Sequence, residues 1–262
     1  MNKKVIWITG ASSGIGEALT YAFNKRGNLL ILSARRVEEL ERVKNNCQNH
    51  NETVRILPLD LADTDSIPEK AEQAKAFFGS VDMLFNNGGI SQRALAAEAS
   101  LITVRNLMEV NFFGTIALTK AVLPEMIRQK SGHIVVISSV MGKLGTRFRS
   151  AYAASKHALH GWFDCLRQEL YEHNIEVTLV CPGFVKTNVT INALTAEGKK
   201  YNEMEDAQKT AMPADVFAER LLAKLAKGKE EIYIGGKEIL AVYLKRWFPS
   251  LLNRILRKTK VT

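Results

Sequence analysis

The feature that most narrows what this 262-residue chain can fold into lies close to its N-terminus. The apolar run Val5-Ile6-Trp7-Ile8 leads directly into Thr9-Gly10-Ala11-Ser12-Ser13-Gly14-Ile15-Gly16, which opens a stretch of helical period. A glycine-rich turn alone only punctuates a chain. Placed between a first strand and a first helix, it fits an anion-binding strand–turn–helix unit. Gly10 allows the tight turn, Gly14 lets the backbone approach a pyrophosphate, and Gly16 permits close packing of helix on strand. The N-terminus of the helix, with Ile15 in its first turn, then faces the anion, and Ser12 and Ser13 stand beside it as hydroxyl donors.

Strand-length apolar runs and longer helical stretches alternate through the rest of the chain. Strands are expected at 5–9, 29–34, 54–58, 82–85, 133–138, 176–180 and 231–234, and helices at 14–26, 36–49, 64–78, 100–128, 150–172 and 213–227. Such alternation predicts an α/β fold: a doubly wound parallel sheet of about seven strands with helices on both faces. The length suits a single domain of this kind. Residues 1–236 are expected to form a Rossmann domain holding cofactor and catalytic site. Within it 188–212, a long and weakly patterned connection carrying Leu194, Tyr201 and Met204, reads as a substrate lid. Residues 237–262 form a basic amphipathic tail.

The end of the second strand bears on the choice of cofactor. Dinucleotide folds selective for NAD usually place an acid there to accept from the ribose hydroxyls. This chain has Ser33-Ala34-Arg35-Arg36 instead. Guanidinium groups at Arg35 and Arg36 favour a 2′-phosphate, so the cofactor is expected to be NADP(H). The plainer alternative makes both arginines solvated residues opening a helix.

The net charge of +9 raises the question of a nucleic-acid partner. Much of the excess belongs to the tail, where Lys237, Lys245, Arg246, Arg254, Arg257, Lys258 and Lys260 are opposed only by Glu238. Without a recognised binding fold or an aromatic stacking platform, no nucleic-acid partner is expected. No stretch reads as long and apolar enough to span a bilayer, and Val5 follows Met1 too closely for a signal peptide. Cys47, Cys165 and Cys181 are odd in number and lack a CxxC pair, which argues against a disulfide framework and points to a reducing, cytoplasmic setting. His133, His157, His160 and His173 have no metal-ligand spacing, and no metal is expected.

A second set of motifs follows in order. They are Asn86-Asn87-Gly88-Gly89, Asn111, Ser138-Ser139, Tyr152-Ala153-Ala154-Ser155-Lys156 and Pro182-Gly183. Together with Thr9–Gly16 they resemble the ordered motif set of the short-chain dehydrogenase/reductase superfamily, over residues 3–234. Within it, Ser33-Ala34-Arg35-Arg36 and the tail resemble the branch containing the dehydrogenase/reductase member 7 proteins and 11β-hydroxysteroid dehydrogenase. Two departures stand out: Gly88 replaces the usual alanine, and the N-terminal membrane anchor of many relatives has no counterpart.

Tyr152 and Lys156, one helical turn apart, project from one face. A nearby ammonium is expected to lower the phenol's pKa toward the neutral range. The resemblance implies that Tyr152 protonates a carbonyl oxygen during reduction and deprotonates an alcohol during oxidation, while Lys156 also holds the nicotinamide ribose. It makes Ser139, rather than Ser138, the group that orients the substrate oxygen, because Gly142 and Tyr152 follow Ser139 at the family spacing. Asn111, a poor helix former inside a helical stretch, would kink that helix and hold a water leading to Lys156. Asn87 and Gly88 would line the adenosine pocket and Asp60-Leu61 contact adenine. Pro182-Gly183 would turn beneath the nicotinamide, with Val185 and Thr187 reaching its carboxamide.

These readings describe an NADP-dependent oxidoreductase acting on a carbonyl or secondary alcohol of a small, lipophilic substrate. Two alternatives use the same residues differently: a 3-oxoacyl-carrier-protein reductase, and a non-catalytic NADP-binding scaffold. Specificity would sit on 90–93, 141–147 and the lid. The resemblance implies a homo-oligomer, a dimer or tetramer, built on the helices at 100–128 and 150–172, the second carrying Trp162 and Phe163. Pro249 should split the tail into two short amphipathic pieces. Their interleaved apolar and basic residues suit either peripheral contact with the inner face of a membrane or packing on the chain's own domain.

Overall fold

The computed structural model describes residues 3–203 and 210–258; Met204 of the lid and Lys260 of the tail lie outside them. The strands are β1 (Val5–Thr9), β2 (Leu29–Ser33), β3 (Val54–Ile56), β4 (Met83–Asn86), β5 (Gly132–Ile137), β6 (Ile175–Pro182) and β7 (Glu231–Ile234). All pairings are parallel, in the order β3-β2-β1-β4-β5-β6-β7. The order reverses between β1 and β4, opening a crevice at the carboxyl ends of the strands where such folds bind ligands.

Strand side chains alternate between two cores. Trp7, Ile31, Leu84, Ile134 and Val136 face α4 (Ile67–Phe78), α6 (Gly114–Gln129) and α7 (Ser150–Glu169). Ile6, Ile8, Leu30, Leu32, Phe85 and Val135 face α1 (Gly14–Asn24), α2 (Val37–Asn45) and α8 (Ala214–Leu225). Because both faces are covered, the central strands read as unbroken apolar runs. The polar edge of Trp7 is satisfied, its Nε1 donating to Ser33 Oγ at 2.8 Å.

Several expectations need correction. The helix at 36–49 ends at Asn45, followed by the single turn α3 (His50–Thr53). Buried Asn24 is the cause: its side chain accepts from Gln48 N at 2.7 Å and donates to Gln48 O at 3.0 Å, turning the chain. The stretch at 100–128 comprises α5 (Leu101–Met108), a π-helical turn at Glu109–Phe113 and then α6. As one continuous helix, Leu101–Gln129 is long and apolar enough to cross a membrane, contrary to the sequence expectation. Its apolarity serves the first core, into which Leu118, Val122 and Met126 pack. Phe163 is fully buried in that core, so only its half-exposed neighbour Trp162 is free to face a partner.

The tail breaks at Pro249 into α9 (Glu238–Trp247) and α10 (Pro249–Lys258). Val242, Ile239 and Ala241 pack against Val140, Met141, Leu144 and Tyr233 of the domain. Leu240, Tyr243, Trp247, Phe248, Leu251 and Ile255 remain exposed. The cysteines are free, Cys47 and Cys181 buried and Cys165 exposed. No cluster of three or more metal-ligating side chains occurs among the described residues.

Candidate active site

A cleft of about 430 Å³ opens over the β1/β4 switch point. Its floor is the turn after β1, in which Gly10 and Gly14 hold φ of +63° and +58°, left-handed backbone that favours glycine. Gly16 is required for a different reason: a methyl group there would overlap the Gly10 carbonyl. Thr9, which sequence reasoning did not single out, ties the turn to β4. Its hydroxyl donates to Phe85 O at 3.1 Å and accepts from Asn87 N at 3.0 Å and Gly88 N at 2.9 Å. Asn87 lines the cleft, but its Nδ2 is engaged by Thr9 O at 2.9 Å, so its side chain holds the turn. At position 88, a methyl would press on the end of the Leu61 side chain, itself a wall of the cleft.

Arg35, Arg36, Ser12, Ser13, Asp60 and Leu61 line the end of the cleft beside β2. Arg36 donates to Ser12 Oγ at 3.4 Å, and Asp60 is turned back to accept from Ala62 N at 3.0 Å. Arg42, another residue the sequence reading missed, reaches across from α2 to Ser12 O at 3.3 Å and to Glu17 at 2.7 Å. The end of β2 thus carries two guanidinium groups and no carboxylate. With the open glycine turn, this donor set fits a dinucleotide whose pyrophosphate lies on α1 and whose ribose bears a phosphate.

Ser139, Tyr152 and Lys156 meet at the other end. Ser139 follows β5; its Oγ accepts from Met141 N at 3.1 Å, and its hydroxyl lies near enough to Tyr152 to favour the phenolate. Ser138 faces the opposite way, 3.1 Å from His160 Nε2. Lys156 Nζ lies 5.8 Å from the centre of the Tyr152 ring and donates to Ile137 O at 2.9 Å. Burial holds Lys156 down at about 8. Burial also pushes the Tyr152 phenol above its ordinary value, against the opposing pull of the Ser139 hydrogen bond and the Arg149 charge. The expected lowering by the ammonium does not set the direction: Lys156 is not among the groups that pull the phenol down, and burial raises it. A neutral phenol is the form able to donate a proton.

Asn111 lies outside the cleft lining, at the centre of the π-helical turn, fully buried rather than exposed. Its Oδ1 accepts from Ile90 N at 2.8 Å, while Nδ2 donates to Ile90 O at 2.9 Å and Ser155 Oγ at 3.0 Å. π-turns occur often at functional sites; here one lets a helix side chain clamp the strand of backbone that forms the cleft wall. Gln92 falls in the 90–93 stretch expected to set specificity, but its structural role was not read from sequence. Its Oε1 accepts from Ala151 N at 2.7 Å and Tyr152 N at 3.4 Å, capping the helix that carries the tyrosine.

Pro182, Gly183, Val185 and Thr187 line the wall after β6, joined by lid residues Asn188, Val189, Asn192, Leu194 and Lys200. The connection at 188–212, expected to be a lid, is joined to the segment after β4, with Arg93 N donating to Leu194 O at 2.7 Å and Leu194 N to Ser91 O at 2.8 Å. Every expected cofactor residue except Gly16 borders this one cleft.

Comparison with known proteins agrees with this geometry. Residues 4–198 match the family model for short chain dehydrogenases. A Drosophila melanogaster dehydrogenase/reductase SDR family protein 7-like is 43% identical, the match covering 98% of this chain and 81% of the relative. A short-chain dehydrogenase structure from Streptomyces avermitilis superposes with a TM-score of 0.84 at 30% identity, covering 99% of each chain. A Burkholderia phymatum short chain dehydrogenase/reductase solved with NAD has the same fold, at a TM-score of 0.85 and 24% identity over 95% of each chain.

Proposed function

The chain belongs to the short-chain dehydrogenase/reductase family, in the branch of the member 7 proteins, and from that premise we propose an NADP-dependent oxidoreductase that interconverts a carbonyl and a secondary alcohol. The observation that carries this reading is the meeting of Ser139, Tyr152 and Lys156 at one end of a cleft whose other end bears Arg35 and Arg36. Family members bind a nicotinamide cofactor, and a fold relative was solved with NAD, so the preference for NADP rests on those two arginines and on the missing acid after β2.

Bound NADPH would supply the hydride. The Ser139 hydroxyl orients the substrate oxygen, and the Tyr152 phenol delivers the proton that the resulting alkoxide needs. Lys156, held by Ile137 O, presents a positive charge beside the ring and toward the ribose. Asn111 acts one step removed, by fixing Ile90 and, through Ser155, the helix that carries Tyr152 and Lys156. Ile90, Val189 and Leu194 make part of the cleft apolar, which favours a lipophilic substrate.

Assembly as a homodimer or tetramer is supported by exposed apolar side chains at Leu101, Ile102 and Phe113. The outer face of the tail supports peripheral contact with the cytoplasmic side of a membrane: Trp247 is 73% and Phe248 61% exposed, beside Lys245 and Arg246. The test of the central reading is NADPH consumption against a panel of ketones and aldehydes, with nucleotide binding measured alongside. Turnover of any carbonyl supports it; tight NADPH binding without turnover of any points to the scaffold instead.

A further inference from the structure

Building on the proposed nicotinamide site, we infer that Glu238, the first residue of the tail helix, is a positioning residue for the nicotinamide end of the cleft. It lies outside the cleft, yet its carboxylate is inserted between two stretches of glycine backbone. Glu238 Oε1 accepts from Phe184 N at 3.0 Å and from Gly236 N at 2.9 Å. A methyl group on Gly183 or on Gly235 would overlap that carboxylate, so glycine at both positions leaves the room it fills.

Gly183 borders the cleft directly after β6, and its own N donates to Ile234 O at 2.9 Å. The turn after β6 is thus held on its outer side by β7 and by Glu238. The helix that Glu238 begins then packs Ile239 and Val242 on Val140, Met141 and Leu144, in the segment that follows Ser139. One helix therefore touches both loops flanking the reactive corner: 182–184 through a carboxylate and 140–144 through apolar contact. A tail serving only as a surface anchor would need no carboxylate hydrogen-bonded to the turn after β6. The tail helix backs both loops from outside the cleft, and Glu238 fixes it there.

Selective ligand binding tests this in the full-length protein. Affinities for NADPH and for adenosine 2′,5′-bisphosphate, which lacks the nicotinamide half, are measured by calorimetry for wild type, Glu238→Ala, Glu238→Gln and Gly183→Ala. Losing two hydrogen bonds from a charged acceptor should weaken NADPH binding roughly ten-fold in Glu238→Ala, leaving the bisphosphate within about two-fold. Gly183→Ala, which expels the carboxylate, should give the same selective loss. Glu238→Gln keeps an acceptor oxygen and should restore most of the NADPH affinity. Equal loss of both ligands in the two alanine variants would mean a general structural defect and overturn the assignment, as would unchanged NADPH binding. Wild type that bound the bisphosphate but no nicotinamide dinucleotide would instead refute the proposed function, and leave Glu238 with nothing to position.

Discussion

Replacing Lys156 by methionine should make this protein more stable and catalytically dead. The ammonium is buried beside Tyr152 and donates to Ile137 O, and burial brings its pKa from 10.5 to about 8. At neutral pH the folded protein therefore carries a charge that the unfolded chain holds more favourably, by about 3 kcal/mol. Methionine keeps the aliphatic stem and removes the charge. Leaving Ile137 O without its donor returns about 1 kcal/mol of that gain. The net expectation is about 2 kcal/mol of added stability at pH 7, or roughly 4–8 °C in melting temperature for a chain this size. Turnover should fall by several orders of magnitude, a trade of stability for function common at active sites.

The pH dependence provides the sharper check. A lysine whose folded pKa is depressed binds fewer protons in the folded state between about pH 8 and 10.5. Stability of the wild type relative to the variant should therefore rise through that window, and be flat below it. Urea unfolding of both proteins without nucleotide, at pH 7, 8, 9 and 10, measures the difference directly. A variant less stable than wild type at pH 7, or a gap that does not narrow as pH rises, would refute the account of a penalised buried ammonium.

What could be read from sequence was whatever is encoded locally. Gly10, Gly14 and Gly16 stand at fixed offsets after a strand, and Tyr152 and Lys156 one helical turn apart, so spacing alone was informative. Pro249 broke the tail where it should, because proline removes a donor whatever surrounds it. Contacts between distant segments were not legible. Arg42 on Ser12, Gln92 capping the helix of Tyr152, and Glu238 under the turn after β6 join residues far apart in the chain. No periodicity announces them. The sign of the Tyr152 shift was misread because proximity of a cation can be guessed from i,i+4 spacing, whereas desolvation depends on the whole fold. Phe163 was misplaced for a related reason: beside Trp162 it looks like part of an apolar surface, but the helix turns it inward.

Tyr152→Phe should lower carbonyl reduction by at least about a hundred-fold while NADPH affinity stays near wild type, since the ring still packs but cannot donate; near-normal turnover would remove the tyrosine from its role. Arg35→Asp should reduce the preference for NADPH over NADH by one to two orders of magnitude, from a charge-assisted contact of about 1.5–3 kcal/mol, read as the ratio of kcat/KM values. Light scattering at micromolar concentration should return at least a dimer, and a monomer would count against the apolar surface at Leu101, Ile102 and Phe113 as an interface. The tail makes the last test, because its inner and outer faces separate two roles. Trp247 and Phe248 are exposed while Val242 of the same helix is buried against the domain. Serine at both exposed positions should abolish sedimentation with anionic vesicles, a binding that high salt should weaken in wild type. Turnover of a water-soluble carbonyl should be unchanged in that double variant, since both side chains are largely exposed and neither lines the cleft. Wild-type protein that ignored phosphatidylserine vesicles at low salt would end the membrane reading, leaving the outer face to another surface of the assembly.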